Sequence, residues 1–396
     1  MRITPTTELT NRFLTLQNLL QQQQIDAAFL VQNSDLFYFT GSIQQGVYYL
    51  PAEGEPAYLV RKDYGRARME SGLKNVLPLS SLKQLFEQLR SLNIPIPKNV
   101  GMELDVLPVQ QFNRLKDLLA PAEIVDLSLL LRQVRAVKSD YEIGILKDSA
   151  LIMDKVFRHA KEVIAEGKTD IEVVAELECF ARKEGHQGIT RFRGFNSEIS
   201  FGHVFSGPDG AVPTFLDAPL GGMGPNPAVG QGASYKIIAA GEPIIIDLVV
   251  AFDGYLVDQT RTMSIGRLPE QLRKAYFDML KIQEHLFAIA KPGVAWEQIY
   301  LECCHQAGEM GYRDHFMGAA GAQVSFVGHG VGIEVDEYPF IARGFKEQTL
   351  AENMTFAFEP KVVFPGLGAV GVENCWRVSS DGIKRLTYTD ESLVEL

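Results

Sequence analysis

The chain has 396 residues, of which 46% are hydrophobic and 22% are charged, a composition typical of a folded globular protein. This length exceeds one average core and predicts two domains. The net charge of -11, without a run of Lys and Arg, argues against nucleic-acid binding, because a phosphate backbone attracts a basic surface. No stretch approaches the roughly 20 apolar residues of a membrane span and no apolar signal segment is present, so we expect no membrane partner and a cytoplasmic protein.

The first part of the chain alternates helical and extended patterns. Apolar residues recur every three to four positions over residues 7–24, which predicts an amphipathic helix, and a second helix is expected near 80–92. Short apolar runs at 26–31, 46–50, 57–60 and 99–103 predict strands. This alternation predicts an α/β domain over residues 1–134.

The second part, residues 135–396, has the pattern of an α+β domain. Capping boxes at 139–142 and 169–172 each begin a helix, and further helices are expected at 269–290 and 296–310. Strands are predicted at 243–251, 255–265 and within 324–386. The segment 191–241 is rich in Gly and Pro, and a loop of this length is either functional or disordered. The four cysteines lack metal-ligand spacing and are expected to be free thiols.

Two hairpins each carry a pair of acids. Asp247 and Asp258 flank the turn Asp253-Gly254, so pairing brings them nearly opposite one another, and a bulge or wider turn could direct both to one face. Glu359 and Glu373 flank a second turn at 365–368 in the same way. Carboxylates in an apolar sheet need compensation, which divalent cations supply. Four acids on two hairpins therefore suggest two metal ions.

One histidine has the local sequence expected of a metal ligand. Glycines precede and follow His329, so the backbone can approach a bound group closely while a single imidazole points toward it. A lone histidine is more often a structural residue, and each acid alone has the pattern of an edge-strand or turn acid. The combination predicts a five-ligand site.

These residues resemble a known family. They are similar in order and spacing to those of the creatinase, prolidase and aminopeptidase P metallopeptidases: ten residues separate Asp247 from Asp258, and Thr260-Arg261-Thr262, the Gly-flanked His329 and the two glutamates follow. The resemblance extends over nearly the whole chain, including Arg135-Ala136-Val137-Lys138 and residues 37–41. It implies an α/β N-terminal domain followed by an α+β pita-bread catalytic domain.

The resemblance also implies ligand roles and chemistry. Asp247 would chelate one ion, Asp258 and Glu373 would bridge two, and His329 and Glu359 would complete the second site. Two ions would activate a shared water and polarise a substrate carbonyl, while Glu359 accepts the proton. Carboxylates with one imidazole favour Mn²⁺, although Co²⁺, Fe²⁺ or Zn²⁺ would fit. The implied activity is hydrolysis of short Xaa-Pro peptides by a homodimer.

The chain departs from the family pattern around these ligands. Thr214 and Asp336 stand where the family places two histidines, while Gly371 and Asn374 stand where it commonly has Arg and Asp. This pattern is expected when a fold retains its cation and changes its reaction or substrate.

Several residues are candidates to replace the missing groups. Asp336 is expected to line the pocket and, with Glu359 and His203, to handle protons; His203 on an apolar strand could equally be structural. Thr214, Arg193 and Asp217 are candidate substrate contacts, although the arginine could lie on a solvated edge.

Two alternatives to a peptidase follow from these departures. One is a metal-dependent enzyme, either a lyase or another hydrolase, that acts on a small polar molecule, with Asp336 as the base that removes a proton next to a carbonyl. The other is a binding protein that has retained the pita-bread fold without turnover, and it predicts little bound metal.

Overall fold

The computed structural model describes residues 2–196 and 198–396. These residues form two compact units, one from the described parts of Met1–Arg135 and Arg193–Ser197 and the other from Ala136–Phe192 and Glu198–Leu396. A short piece of the Gly- and Pro-rich segment therefore belongs to the first unit. No helix among the described residues is both long and apolar enough to cross a membrane.

The first unit is built on a mixed six-stranded sheet with the order β4-β3-β2-β1-β5-β6, and its core lies between this sheet and its helices. The predicted strands are present, and several short elements add to them. The strands are β1 (Ala27–Leu30), β2 (Gly46–Pro51), β3 (Ala57–Val60), β4 (Val76–Pro78), β5 (Asn99–Met102) and β6 (Glu123–Asp126). The helices are α1 (Thr6–Gln22), α2 (Asn33–Thr40), α3 (Tyr64–Glu70), α4 (Leu85–Ser91), α5 (Val109–Leu119) and α6 (Ser128–Ala136).

The described residues of the second unit form long helices and three arrangements of strands, which are antiparallel except where β17 pairs parallel with β9. The sheet orders are β17-β9-β8-β7, β11-β10-β12-β15-β16 and the hairpin β13-β14. The helices are α7 (Asp140–Val163), α8 (Asp170–Glu184), α9 (Glu270–Ile289) and α10 (Trp296–Glu309). The strands are β7 (Gly202–Ser206), β8 (Ile244–Phe252), β9 (Tyr255–Ser264), β10 (Phe326–Val331), β11 (Val335–Ala342), β12 (Thr355–Phe358), β13 (Lys361–Phe364), β14 (Gly368–Gly371), β15 (Asn374–Ser379), β16 (Gly382–Arg385) and β17 (Val394–Glu395).

Helix α7 forms where the capping box was predicted. The Ser139 hydroxyl accepts from the Glu142 amide, and the Glu142 carboxylate accepts from the Ser139 amide, which satisfies two free donors at the helix start. Buried residues such as Leu146, Met153 and Phe157 recur at helical spacing and pack α7 against β8 and β9. The helix thereby supports the back of the strands that carry Asp247 and Asp258.

The Gly- and Pro-rich segment is partly regular. β7 lies inside the stretch expected to be a loop, and it pairs antiparallel with β8 from Gly202↔Leu248 to Ser206↔Ile244. Within residues 212–243, the structure describes isolated bridges instead of helices or strands. Leu220 is nevertheless buried in a small core with Phe205 and Ile245, so this segment is anchored by apolar packing.

Candidate metal centre

The first acid pair lies on one face of the β8–β9 hairpin. In the ladder Asp247 pairs with Thr260 and Asp258 pairs with Val249, so the two aspartates are offset by two residues. Because side chains alternate between faces, an offset of two places both carboxylates on the same side. The turn Asp253-Gly254 has positive φ at both residues, 46° and 90°, which suits a two-residue hairpin. The register is continuous, so the bulge or wider turn considered from the sequence is not needed.

The second acid pair extends the β13–β14 hairpin. Lys361 pairs with Gly371, and the Val372 amide donates to the Pro360 carbonyl at 3.3 Å, so Glu359 and Glu373 lie opposite one another two residues beyond the ladder. The Glu373 amide donates to the Thr260 carbonyl at 3.1 Å. This bond joins the second hairpin to the first and brings the two acid pairs together.

His329 reaches the acids from β10. Its neighbour Gly328 is required, since a Cβ there would lie 2.5 Å from the Ala357 carbonyl oxygen. The Nε2 atom of His329 lies 3.6 Å from Glu359 Oε1 and 3.9 Å from both Asp258 Oδ2 and Glu373 Oε1. The structure therefore brings the imidazole and the acids of both hairpins into one buried cluster.

Three residues of this cluster form a set of side chains suited to binding a cation. Asp258, His329 and Glu373 are buried, and one ligand atom from each lies within 4.8 Å of the others. Within the described residues, Asp258 Oδ1 is buried without a hydrogen-bond partner. Burial raises the pKa of Asp258 well above its usual value, and the charges of Glu373 and Asp247 raise it further. These three residues fit a divalent ion, which would neutralise this negative charge.

The remaining carboxylates already have a cation, the ammonium of Lys361. Its Nζ lies 2.7 Å from Glu359 Oε2 and 3.0 Å from both Asp247 Oδ2 and Glu373 Oε2. Burial lowers the pKa of Lys361, but the three carboxylates outweigh burial and raise it. With this side chain in place, the residues do not fit a second metal ion.

Sequence reasoning missed Lys361, although a signal was present. Lys361 follows Glu359 by two residues in an extended segment, and side chains two apart share a face of a strand. A lysine on the same face as a candidate carboxylate ligand competes with a metal ion for that carboxylate.

Two predicted proton-handling residues lie beside residues predicted from the sequence as ligands. Asp336, at a positive φ of 62°, places Oδ1 3.4 Å from His329 Nδ1, so it can orient this imidazole. Burial lowers the pKa of His329, whereas Asp336 and the nearby glutamates raise it above its usual value. His203 on β7 pairs with Asp247 on β8. Burial lowers the pKa of His203 more than Asp247 raises it.

The three predicted substrate contacts have different surroundings. Thr214 is half-buried and donates to the Gly230 carbonyl at 3.0 Å within the irregular segment, where Asp217 is exposed. Arg193 belongs to the first unit, where its guanidinium donates to Asp35 at 2.8 Å and to Asp105 at 2.7 Å. Since both carboxylates hold Arg193 in a buried ion-pair network, we do not include it in the site proposed below.

The Thr260-Arg261-Thr262 string supports the ligands. Thr260 Oγ1 donates to Glu373 Oε2 at 2.6 Å, and Thr262 Oγ1 donates to the Gly371 carbonyl at 2.9 Å. Arg261 donates to the Glu373 carbonyl at 2.8 Å. These three consecutive residues of β9 therefore hold in place the segment that carries Glu373. This is the structural role of the Thr260-Arg261-Thr262 string.

The two-unit fold and the buried cluster of acids with one imidazole define the class of metallopeptidase-like hydrolases. Comparison with family models agrees. Residues 144–380 match metallopeptidase family M24, and residues 12–137 match the creatinase/prolidase N-terminal domain. The chain belongs to metallopeptidase family M24, which uses divalent metals.

Individual proteins show the same relationship. The Xaa-Pro dipeptidase of Pyrococcus furiosus is 27% identical over 98% of this chain and 100% of its own length. The crystal structure of the prolidase from Pyrococcus horikoshii OT3 is 25% identical, with a TM-score of 0.81 over 97% of this chain and 100% of that chain. The Xaa-Pro dipeptidase from Bacillus anthracis, at 24% identity, has a TM-score of 0.83 over 98% of this chain and 100% of that chain. The predicted family and the pita-bread fold class are confirmed.

Proposed function

We propose that the protein is a metal-dependent dipeptidase that hydrolyses short peptides of the Xaa-Pro type. The observation that carries the proposal is the convergence of Asp258, His329 and Glu373 within the part of the chain that matches family M24. Relatives named Xaa-Pro dipeptidases match over nearly their full length, which favours this substrate class. We assign the reaction to a domain formed by residues 135–396 and treat residues 1–134 as the N-terminal domain.

The proposed metal ligands are Asp258, His329 and Glu373. Their oxygen-rich set favours Mn²⁺, with Co²⁺, Fe²⁺ or Zn²⁺ as alternatives. A bound divalent ion supplies an activated water and polarises a substrate carbonyl. The two-ion centre expected from the sequence would also place Asp247 and Glu359 on metal. That arrangement requires Lys361 to leave their carboxylates.

The proposed proton acceptor is Glu359. Its Oε1 lies 3.6 Å from His329 Nε2, at the edge of the proposed ligand group, and its Oε2 is held by Lys361. Asp336 would fix the imidazole of His329, and His203 would serve as a proton-handling group beside Asp247. Thr214 and Asp217, on the irregular segment, are the proposed contacts with substrate.

The experiment uses the full chain loaded with Mn²⁺ and a panel of Xaa-Pro dipeptides, Xaa-Pro tripeptides and dipeptides without proline. We expect cleavage of the Xaa-Pro dipeptides and a loss of about 100-fold or more in Glu359→Gln, which removes the proton acceptor. Glu347→Gln, at an exposed position, is the matched control and should retain activity.

If the wild type cleaved no peptide of the panel faster than Glu359→Gln does, the proposed peptidase activity would be refuted. Bound metal in such a protein would favour the alternative of an enzyme acting on a small non-peptide molecule, whereas absence of bound metal would favour the binding protein. A homodimer and a cytoplasmic location stay predictions. Light scattering after size-exclusion chromatography tests the homodimer.

A further inference from the structure

We propose that the ammonium of Lys361 takes the place of the second metal ion, so that the protein binds one divalent ion per chain. The inference rests on the proposed function insofar as both concern the same site, but it concerns the number of ions and not the substrate. The proposed centre contains one metal ion and one fixed ammonium in place of two metal ions.

The contacts of Lys361 are those of a fully coordinated cation. An ammonium has three donors, and three carboxylate oxygens lie within 3.0 Å of Nζ, on Asp247, Glu359 and Glu373. The lysine side chain is 1% exposed, as is that of Glu373. The ammonium of Lys361 is therefore shielded from solvent, and it could reach solvent only if the surrounding side chains rearranged.

The backbone directs Lys361 into this position. It shares a strand face with Glu359 two residues earlier, and across the ladder its partner is Gly371. A Cβ on Gly371 would lie 2.6 Å from Lys361 Cγ. The absence of a side chain at Gly371 therefore leaves the space through which the lysine stem passes. The departure at Gly371 and the presence of Lys361 are two parts of one local arrangement.

A second metal ion would have to displace this ammonium or lie beside it. Displacement would leave a buried lysine without its carboxylate partners, which is strongly unfavourable. Placing a divalent ion among the same oxygens, a few ångströms from Nζ, would add repulsion between like charges in a poorly screened interior. Both routes oppose a second ion.

The geometry leaves one position for an ion. Glu373 directs Oε2 to Lys361 at 3.0 Å and Oε1 toward His329 Nε2 at 3.9 Å. Asp258, on the His329 side, has the buried Oδ1 that lacks a hydrogen-bond partner among the described residues. Glu373 thus lies between the ammonium on one side and the proposed ion site on the other.

The test counts bound Mn²⁺ on the metal-free full chain by calorimetric titration and by elemental analysis after dialysis. We expect one equivalent for the wild type and for Lys361→Arg, which retains the charge. Lys361→Met removes the charge and should bind two equivalents. Lys168→Met removes a lysine that pairs with Glu176 elsewhere in the second unit and should bind one.

Electron paramagnetic resonance of the Mn²⁺-loaded proteins gives a second readout, since two adjacent ions couple magnetically and one ion does not. A wild type that binds two equivalents, or none, overturns the inference, as does a folded Lys361→Met that stays at one. If Lys361→Met does not fold, the wild-type stoichiometry and spectrum decide. Because the measurement needs no substrate, failure to cleave Xaa-Pro peptides would refute the proposed activity and not this inference.

Discussion

Replacement of Arg261 by lysine should destabilise the second unit while preserving the charge. Arg261 is 2% exposed, and burial lowers its pKa to about 10. Its guanidinium donates to five acceptors. These are the carbonyl oxygens of Thr260, Glu373, Thr389 and Asp390 and the side-chain oxygen of Asn374.

The magnitude follows from the number of donors. Lysine has three donors on one atom, so at least two of the five hydrogen bonds are lost, while the Thr260 carbonyl and the Asn374 side-chain oxygen each keep another donor. At about 1–2 kcal/mol for each lost hydrogen bond to the charged guanidinium, the free energy of unfolding should fall by about 2–4 kcal/mol. For a unit of this size, the loss corresponds to a decrease in Tm of roughly 4–16 °C.

Thermal unfolding of the metal-free protein, followed by circular dichroism and calorimetry, measures this loss. Arg267→Lys is the control because the Arg267 side chain is 74% exposed, and it should leave Tm within about 1 °C of the wild type. If Arg261→Lys were as stable as Arg267→Lys, the hydrogen bonds of Arg261 would not hold the C-terminal segment and β9 together.

Three further predictions concern other parts of the second unit. Burial lowers the pKa of His186 from 6.5 to about 4, so the unfolded chain binds a proton at a higher pH than the folded chain does. The free energy of unfolding, measured in urea, should therefore fall by about 2 kcal/mol between pH 7 and pH 5. An equal fall in His186→Gln would contradict this assignment. Ser139→Ala should cost about 1 kcal/mol by removing the cap of α7, whereas Ser139→Asp should retain most of the stability in the same assay. Gly232→Ala should lower stability by more than about 1 kcal/mol, because its φ is +83° and a Cβ would lie 2.1 Å from His203 Nδ1. Gly230→Ala has open space and is the control; equal Tm values for the two variants would show that His203 does not require this glycine.

Local patterns accounted for much of the fold. Both capping boxes were predicted from residue types three positions apart, because the bonds they form are local. The hairpin around Asp253-Gly254 followed from two apolar, strand-like runs and a turn that tolerates positive φ. Short elements such as α2 and α3 were missed, because their windows are too short for periodicity to separate them from loops.

The positions of some site residues could not be predicted, because they depend on distant partners. Arg193 was a candidate for the substrate site, yet its carboxylate partners Asp35 and Asp105 lie far earlier in the chain. Asp336 was expected near the pocket because its distance from His329 is short in sequence. Its contact with Nδ1 at 3.4 Å depends on register shifts between β10 and β11 near His329 and Gly330.

The amino-acid sequence by itself determined the family, the two hairpins and the identity of the acids and imidazole that converge, because strand alternation and turn chemistry act over a few residues. Tertiary structure alone decided how these charges are compensated. The bond between Glu373 and Thr260 joins two hairpins more than a hundred residues apart and brings Asp247 to the ammonium of Lys361. Long-range packing therefore determines whether metal ions or the Lys361 ammonium neutralise the carboxylates of this centre. A buried cation is stabilised by the carboxylates that the fold places around it.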